Sequence, residues 1–224
     1  EEIHLNDFLI ENGLEVVETD LGEYILQLRE ETPSHVVMPA IHLKKEQIAT
    51  TFRDHHTELD PARPLDAPSD MTEEARIKLR EKFLAADVGI TGANMLIAET
   101  GSIVVVTNEG NGDLAQTLPR VHIVIAAIEK VVPRVDDALS VLRILARSAT
   151  GQEITCYTTF ATGPKRPDDL DGPEEFHLIL LDNGRTKLLE GKFRDVLRCI
   201  RCGACQSACP VYGAVGGHAY GGGY

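Results

Sequence analysis

Short apolar runs alternate with polar breakers along the chain, and the period of each run predicts an element. Ile3 to Ile10 precedes the Asn12-Gly13 breaker, Leu14-Glu15-Val16-Val17 reads as a short strand, and Leu21 to Arg29 suits a helix. Pro33-Ser34 stops that helix, His35-Val36-Val37-Met38 reads as a buried strand, and Lys44 to Phe52 as the next helix. The expectation is two α/β units before residue 55. From His55 to Asp70 the chain is polar, and Pro61, Pro64 and Pro68 each remove a backbone donor, which predicts a surface loop. Met71 to Ala86 follows as an amphipathic helix, with Thr72 as its expected cap, Glu73 and Glu74 in the first turn, and Ile77, Leu79, Phe83 and Leu84 on the apolar side.

The central block, Asp87 to Ile90, Ala93 to Ala98, Ile103 to Val106 and Val121 to Ala126, has the β-branched, glycine-punctuated pattern of core strands. Val135 to Ala149 is the clearest amphipathic helix, apolar at Val135, Leu139, Leu142, Leu145 and Ala146. Ile154 to Phe160 and Phe176 to Leu181 read as strands. Asp182-Asn183-Gly184 then predicts a tight turn into Thr186 to Leu189 as a closing hairpin. Strands alternating with helices predict an α/β fold: a mostly parallel central sheet with flanking helices, carrying the hairpin at one edge. No internal repeat is present.

Composition narrows the function classes. With 224 residues the chain is long enough for one large core, and a formal net charge of -13 without any lysine or arginine block disfavours nucleic acid as a partner. Its apolar runs fall far short of the roughly 20 residues a transmembrane helix needs. The start at Glu1-Glu2 resembles no secretory signal. Of five cysteines, four lie between positions 199 and 209, too close together for a disulfide framework, and a reducing cytoplasm is the expected compartment.

Those four cysteines carry the chemistry. Cys199-x2-Cys202-x2-Cys205-x3-Cys209-Pro210 has the spacing of a bacterial ferredoxin run: the first three thiolates face one [4Fe-4S] cubane, and the fourth ligates a second cluster. One cubane takes four protein ligands, so the remaining ligands are expected from sequence outside this chain. A structural zinc site is the alternative, although zinc sites usually separate their cysteine pairs by a longer loop. Cys156 lies in a strand context and reads as a buried, inert thiol. Arg198 and Arg201 flank the ligands and either raise a cluster's reduction potential or are solvated surface charges. Beyond Gly191 the chain becomes glycine-rich and lacks a core of its own, and its end at Tyr224 suggests truncation of a longer protein.

Other candidates are less specific. Glu99, before Thr100-Gly101 at a strand end, suits either a catalytic nucleophile or base or a turn carboxylate capping backbone donors. The loop Asn108 to Asp113 suits either anion binding through its backbone or an ordinary turn. His55, His56 and His122, the last near Arg120, lack the further ligands of a metal site and read as surface or packing histidines. Asp168 to Asp171 with Glu174 and Glu175 lacks calcium-ligand spacing and reads as a solvated loop.

Taken together, Glu15 to Tyr24, Pro33-Ser34-His35, Ala98 to Ser102, Leu118 to His122, Leu181 to Arg185, Cys199 to Tyr212 and Gly216 to Gly221 resemble the lactate utilization protein B family. That resemblance covers essentially the whole chain. It implies an iron-sulfur subunit of a bacterial L-lactate-oxidising system, acting with companion subunits to take lactate to pyruvate and holding two [4Fe-4S] clusters at full length. It also implies a ribose-phosphate isomerase/coenzyme A transferase-like α/β domain over 1–191, followed by the first half of a ferredoxin-type module over 192–224. A different class remains open: an isomerase- or transferase-like enzyme using Glu99 and the loop from Asn108 to Asp113, with the cysteines structural. So does a scaffold that holds partner subunits without carrying electrons.

Overall fold

The structure, a computed structural model, describes residues 2–220. The chain forms two compact units. One runs up to Lys82 and resumes at Gly203; the other is Phe83–Cys202.

The first unit is helical. Its elements are α1 (Leu5–Glu11), α2 (Leu21–Arg29), α3 (Lys45–His55) and most of α4 (Pro68–Ala85), with α8 (Ala204–Ala208), α9 (Pro210–Val215) and α10 (Gly217–Tyr220) near the other end of the chain. Asp20 starts α2 by accepting the Glu23 N–H at 3.1 Å. Tyr24, Ile25 and Leu26 of α2 are buried, as are Ala49 and Phe52 of α3. Neither of the two strands expected here forms. At Leu14–Val17 a side chain takes the place of a neighbouring strand: Gln27 Nε2 donates to Val16 O at 2.8 Å, and Gln27 Oε1 accepts the Glu18 N–H at 2.9 Å. At His35–Met38 the imidazole of His35 does the same. Backbone groups need partners, but a side chain serves as well as a ladder.

The proline-rich segment is anchored rather than loose. Arg63 grips Glu74 with two hydrogen bonds, Nε at 2.6 Å and a terminal nitrogen at 2.7 Å, and also donates to Phe52 O. His56 meets the same carboxylate at 2.6 Å and Tyr24 at 2.8 Å. Burial acts to raise the Glu74 pKa, but the bonds from Arg63 and His56 prevail and hold it below its ordinary value. His56 is therefore a packed, satisfied core histidine, while His55 is exposed and bonds Thr51 O.

The second unit is layered α/β. A parallel sheet of order β1-β4-β7 comprises β1 (Val88–Thr91), β4 (Val121–Ala127) and β7 (Glu175–Leu181). A second sheet of order β5-β2-β3-β6 comprises β2 (Met95–Ile97), β3 (Ser102–Thr107), β5 (Val131–Val132) and β6 (Tyr157–Ala161). There β2 pairs parallel with β5, while β3 runs antiparallel to both its neighbours. The two-residue side-chain period splits β2 and β3 between two cores. Leu96, Ile103 and Val105 pack with Val124 and Ala126 of β4. Met95, Ile97 and Val104 face the other way, onto Ala138, Val141 and Leu142 of α6 (Val135–Thr150). The expected parallel sheet with flanking helices is thus present, and a largely antiparallel sheet lies between it and α6.

Two short helices complete this unit, α5 (Asn111–Thr117) and α7 (Arg185–Glu190). The second replaces the expected hairpin strand. Asp182 accepts both the N–H and the hydroxyl of Thr186, at 2.7 and 3.0 Å, which supplies an anionic cap where the chain leaves the turn. Arg120 ion-pairs with Glu174 and Glu175, tying β4 to β7. His122 is buried at 1% exposure, hydrogen-bonds Thr91 Oγ1 at 2.8 Å, and meets Phe176 edge-on. Burial pushes its pKa down to about 4.

Two predictions follow from these buried groups. Replacing Glu74 with Ala leaves Arg63 and His56 without their anion and is expected to cost about 3–5 kcal/mol of stability; adding Arg63→Met should recover part of that loss, as read by urea denaturation. For His122 the folded-state pKa lies below the unfolded value of about 6.5, so the unfolded chain takes up its proton first as pH falls. Its contribution is complete above about pH 6.5 and declines toward pH 4. In His122→Gln, which keeps a partner for Thr91, the pH dependence of unfolding over that window should flatten by about one proton's slope.

Candidate metal centre

The cysteine run divides between the two units, Cys199 and Cys202 in one and Cys205 and Cys209 in the other, and each part has its own support. In the second unit α7 leads through Gly191 into a 3-10 turn, Arg194–Arg198, which delivers Cys199. The Cys199 N–H bonds Val196 O at 3.0 Å, and its Sγ accepts the Arg201 N–H at 3.4 Å. Arg201 has φ 59°, the left-handed conformation that turns the chain back after the first thiol. Behind this turn Arg185 forms a buried 2.6 Å ion pair with Glu129, pinning α7 to the Ile128–Lys130 turn at the end of β4. Lys130 lies beside Cys199 and Arg201. Burial first, then Arg201, lowers its pKa, against the opposing influence of Glu129 and the Cys199 sulfur.

In the first unit the support is the segment Ser34–Val37. His35 Nδ1 accepts the N–H groups of Val37 and Met38 at 3.1 and 3.2 Å, which places the ring proton on Nε2, 3.3 Å from Ser207 Oγ. Burial lowers the His35 pKa and keeps the ring neutral, as that pattern requires. Val36 N–H donates to Gln206 Oε1 at 3.2 Å, and the Tyr212 hydroxyl donates to Ser34 O at 2.8 Å while its ring packs edge-on against His35. Gly203 sits at φ 73°, where a Cβ would lie 2.8 Å from the His35 ring; at Gly217 a Cβ would lie 1.6 Å from Ser34 O. Only glycine fits either place. The tail that lacked a core signal is therefore folded against this turn.

Cys205 lies on α8 and is exposed. Cys209 caps α9, ahead of Pro210 at the first helical position, and its Sγ accepts the Tyr212 N–H at 3.5 Å. Cys199 is exposed, and Cys202 and Cys209 are half-buried; none of the four is in a disulfide. Among the described residues no group of three or more histidine, cysteine, aspartate and glutamate side chains stands ready around one point. The donor set nevertheless fits an iron-sulfur group: four unbridged thiols, two already receiving backbone N–H···S bonds, and a buried amide nitrogen on Gln206 with no acceptor.

The other candidates have different surroundings. Glu99 is exposed and accepts the Val135 N–H at 3.2 Å, capping α6. In the Asn108–Asp113 loop, Asn108 Oδ1 accepts the Cys156 N–H at 3.1 Å and Asp113 accepts the Thr159 hydroxyl, so both side chains are engaged in tying the loop to β6 and the residues before it. Cys156 itself is exposed rather than buried, because the segment before Tyr157 runs outside the sheet. Arg198 pairs with Asp195 at the surface. Sequence reasoning missed Glu129, Lys130, Gln206 and the role of His35. His35, Arg185 and Gln206 lie within motifs that stood out in the sequence, whereas Glu129 and Lys130 gave no signal.

Comparison with known proteins fits this geometry. A 4Fe-4S binding domain model matches residues 190–211, a span that contains all four clustered cysteines. Lactate utilization protein B from Bacillus licheniformis is 51% identical over 99% of this chain, and that of Bacillus subtilis is 51% identical over the same share. An uncharacterized electron transport protein, YkgF, from Escherichia coli is 50% identical, also over 99% of the chain. The chain spans 46% of the length of each of these relatives. A duf162 family crystal structure from Deinococcus radiodurans aligns with TM-score 0.35 and 18% identity, covering 71% of this chain and 93% of that one. The LUD domain model matches residues 3–181, and the chain belongs to the LUD domain family.

Proposed function

We propose that this chain forms part of an iron-sulfur electron-transfer subunit in the oxidation of L-lactate to pyruvate, a reaction that releases two electrons and two protons. The observation that carries the reading is the set of four cysteines, none in a disulfide, in ferredoxin spacing inside the matched 4Fe-4S span. Relatives named for lactate utilization and for electron transport support it. When bound, a [4Fe-4S] group supplies one-electron chemistry. Cys199, Cys202 and Cys205 are assigned to one cluster and Cys209 to a second, with the other ligands coming from protein outside this chain. Residues 1–191 are read as the lactate-utilization domain and 192–224 as the opening of the ferredoxin-type module.

The chain's own residues hold thiolates in place and moderate their charge. Backbone N–H groups of Arg201 and Tyr212 stabilise the sulfurs of Cys199 and Cys209, and the cationic Arg201 and Lys130 lie near Cys199. Among the described residues no helix is long and apolar enough to cross a membrane. We place the protein in the cytoplasm, in keeping with five cysteines that form no disulfide, and expect companion subunits to carry the lactate site and the electron acceptor.

Anaerobic reconstitution of the full-length protein should give iron and acid-labile sulfide in equal amounts with broad visible absorbance. Replacing Cys199, Cys202 and Cys205 with Ser should abolish one cluster's signal, whereas Cys156→Ser should leave iron content unchanged. Zinc without iron after anaerobic purification would reject the assignment. Freeze-quench paramagnetic resonance with lactate and the companion subunits separates a working carrier, whose clusters become reduced during turnover, from a silent scaffold.

A further inference from the structure

Gln206 immediately follows Cys205 and is 4% exposed. Its carboxamide has one acceptor end and one donor end, and the Val36 N–H, at 3.2 Å, can be satisfied only by the oxygen. That bond fixes the amide's orientation and turns Nε2 the other way. There Nε2 is out of contact with water and has no hydrogen-bond partner among the described residues. Leaving a buried donor unmatched is unfavourable, so the position calls for an acceptor that the described residues do not provide.

The support around Gln206 is rigid. Val36 belongs to the turn that His35 organises, Ser207 on the next position bonds the same imidazole, and Gly203 at the head of α8 packs against its ring. Gln116, in the second unit, also has a buried unpartnered amide, but there neither the oxygen nor the nitrogen is fixed by a partner and no cysteine is adjacent in sequence. Gln206 differs on both counts.

We infer that Gln206 Nε2–H donates a hydrogen bond to a sulfur of the iron-sulfur cluster held by Cys205, making Gln206 a positioning and potential-setting residue. The inference rests on the iron-sulfur reading above. A hydrogen bond to cluster sulfur stabilises the more negative, reduced state and so raises the reduction potential. His35 acts one step further out, by accepting the Val37 and Met38 N–H groups and so fixing the turn that presents the Val36 N–H to the amide.

The test uses full-length protein reconstituted anaerobically, as wild type, Gln206→Glu and Gln206→Leu. Gln206→Glu keeps an oxygen for Val36 and removes the donor, so the turn is retained. At equal iron and sulfide content both variants should have a more negative midpoint potential in a redox titration followed by paramagnetic resonance, with the Glu variant the more negative. Independently of any variant, wild-type protein carrying glutamine labelled with nitrogen-15 at the side-chain amide should show a nitrogen-15 coupling to the reduced cluster in pulsed paramagnetic resonance. Unchanged potentials at equal iron content, or no coupling in the labelled wild type, would overturn the inference and leave the cluster assignment standing. A wild-type protein that takes up no iron would overturn both.

Discussion

Neutral His35, accepting two backbone N–H groups on one nitrogen and presenting a proton on the other, is the interaction on which the ordered half of the cysteine run depends. A segment as irregular as Ser34–Met38 would otherwise bury backbone donors without partners. Once the imidazole satisfies them, the turn has a fixed shape, and its remaining polar groups face outward as fixed contacts: Ser34 O for Tyr212, Val36 N–H for Gln206, Nε2 for Ser207. Every one of those partners lies within three residues of Cys205 or Cys209. A segment with no thiol of its own thereby sets where two of the thiols stand, although about 170 positions separate them in sequence.

How legible this was from sequence depends on the kind of interaction. The helix at Leu21–Arg29 and the long helix from Val135 were readable because burial on one face imposes a period, and α6 does bury Ala138, Leu145 and Ala146. The strands β2 and β3 were readable because two-sided burial demands continuous apolar runs, and β4 because its β-branched run alternates between buried and half-buried positions. Leu14–Val17 and His35–Met38 carry the same local pattern, yet they are not strands, since an apolar run says nothing about whether a neighbouring strand exists to pair with. Asp182-Asn183-Gly184 predicts a turn into a hairpin; the turn forms, and a helix follows it in place of the hairpin strand. The decisive feature is the Asp182 carboxylate, which caps the next residues as α7 and makes the helix the better continuation.

The site divides along the same line. Cysteine spacing is local information, so Cys199, Cys202, Cys205 and Cys209 stand out without any structure. Gln206 and Lys130 do not, because what distinguishes them is the partner they lack or the neighbour they have, and both are set by distant chain. Glu99 illustrates the reverse error. A carboxylate before Thr100-Gly101 is conspicuous in sequence, but in three dimensions it points at the first N–H of α6.

Charged groups are also placed around Cys199. The chain carries a formal net charge of -13, and thiolates holding an iron-sulfur group add to the local negative charge. An exposed cation would moderate that only weakly, because water and salt screen it, as at the surface pair of Arg198 and Asp195. Lys130 is half-buried and stands where screening is poorer. Its turn is held by the ion pair of Arg185 with Glu129 on the adjacent position, and Lys130 interacts with Glu129 and the Cys199 sulfur as well as with Arg201. Burying Glu129 without Arg185 would instead turn the same turn into an anionic site beside a thiolate, which electrostatics disfavours. Arg185, by pairing with Glu129, thus offsets an anion on the turn that carries Lys130.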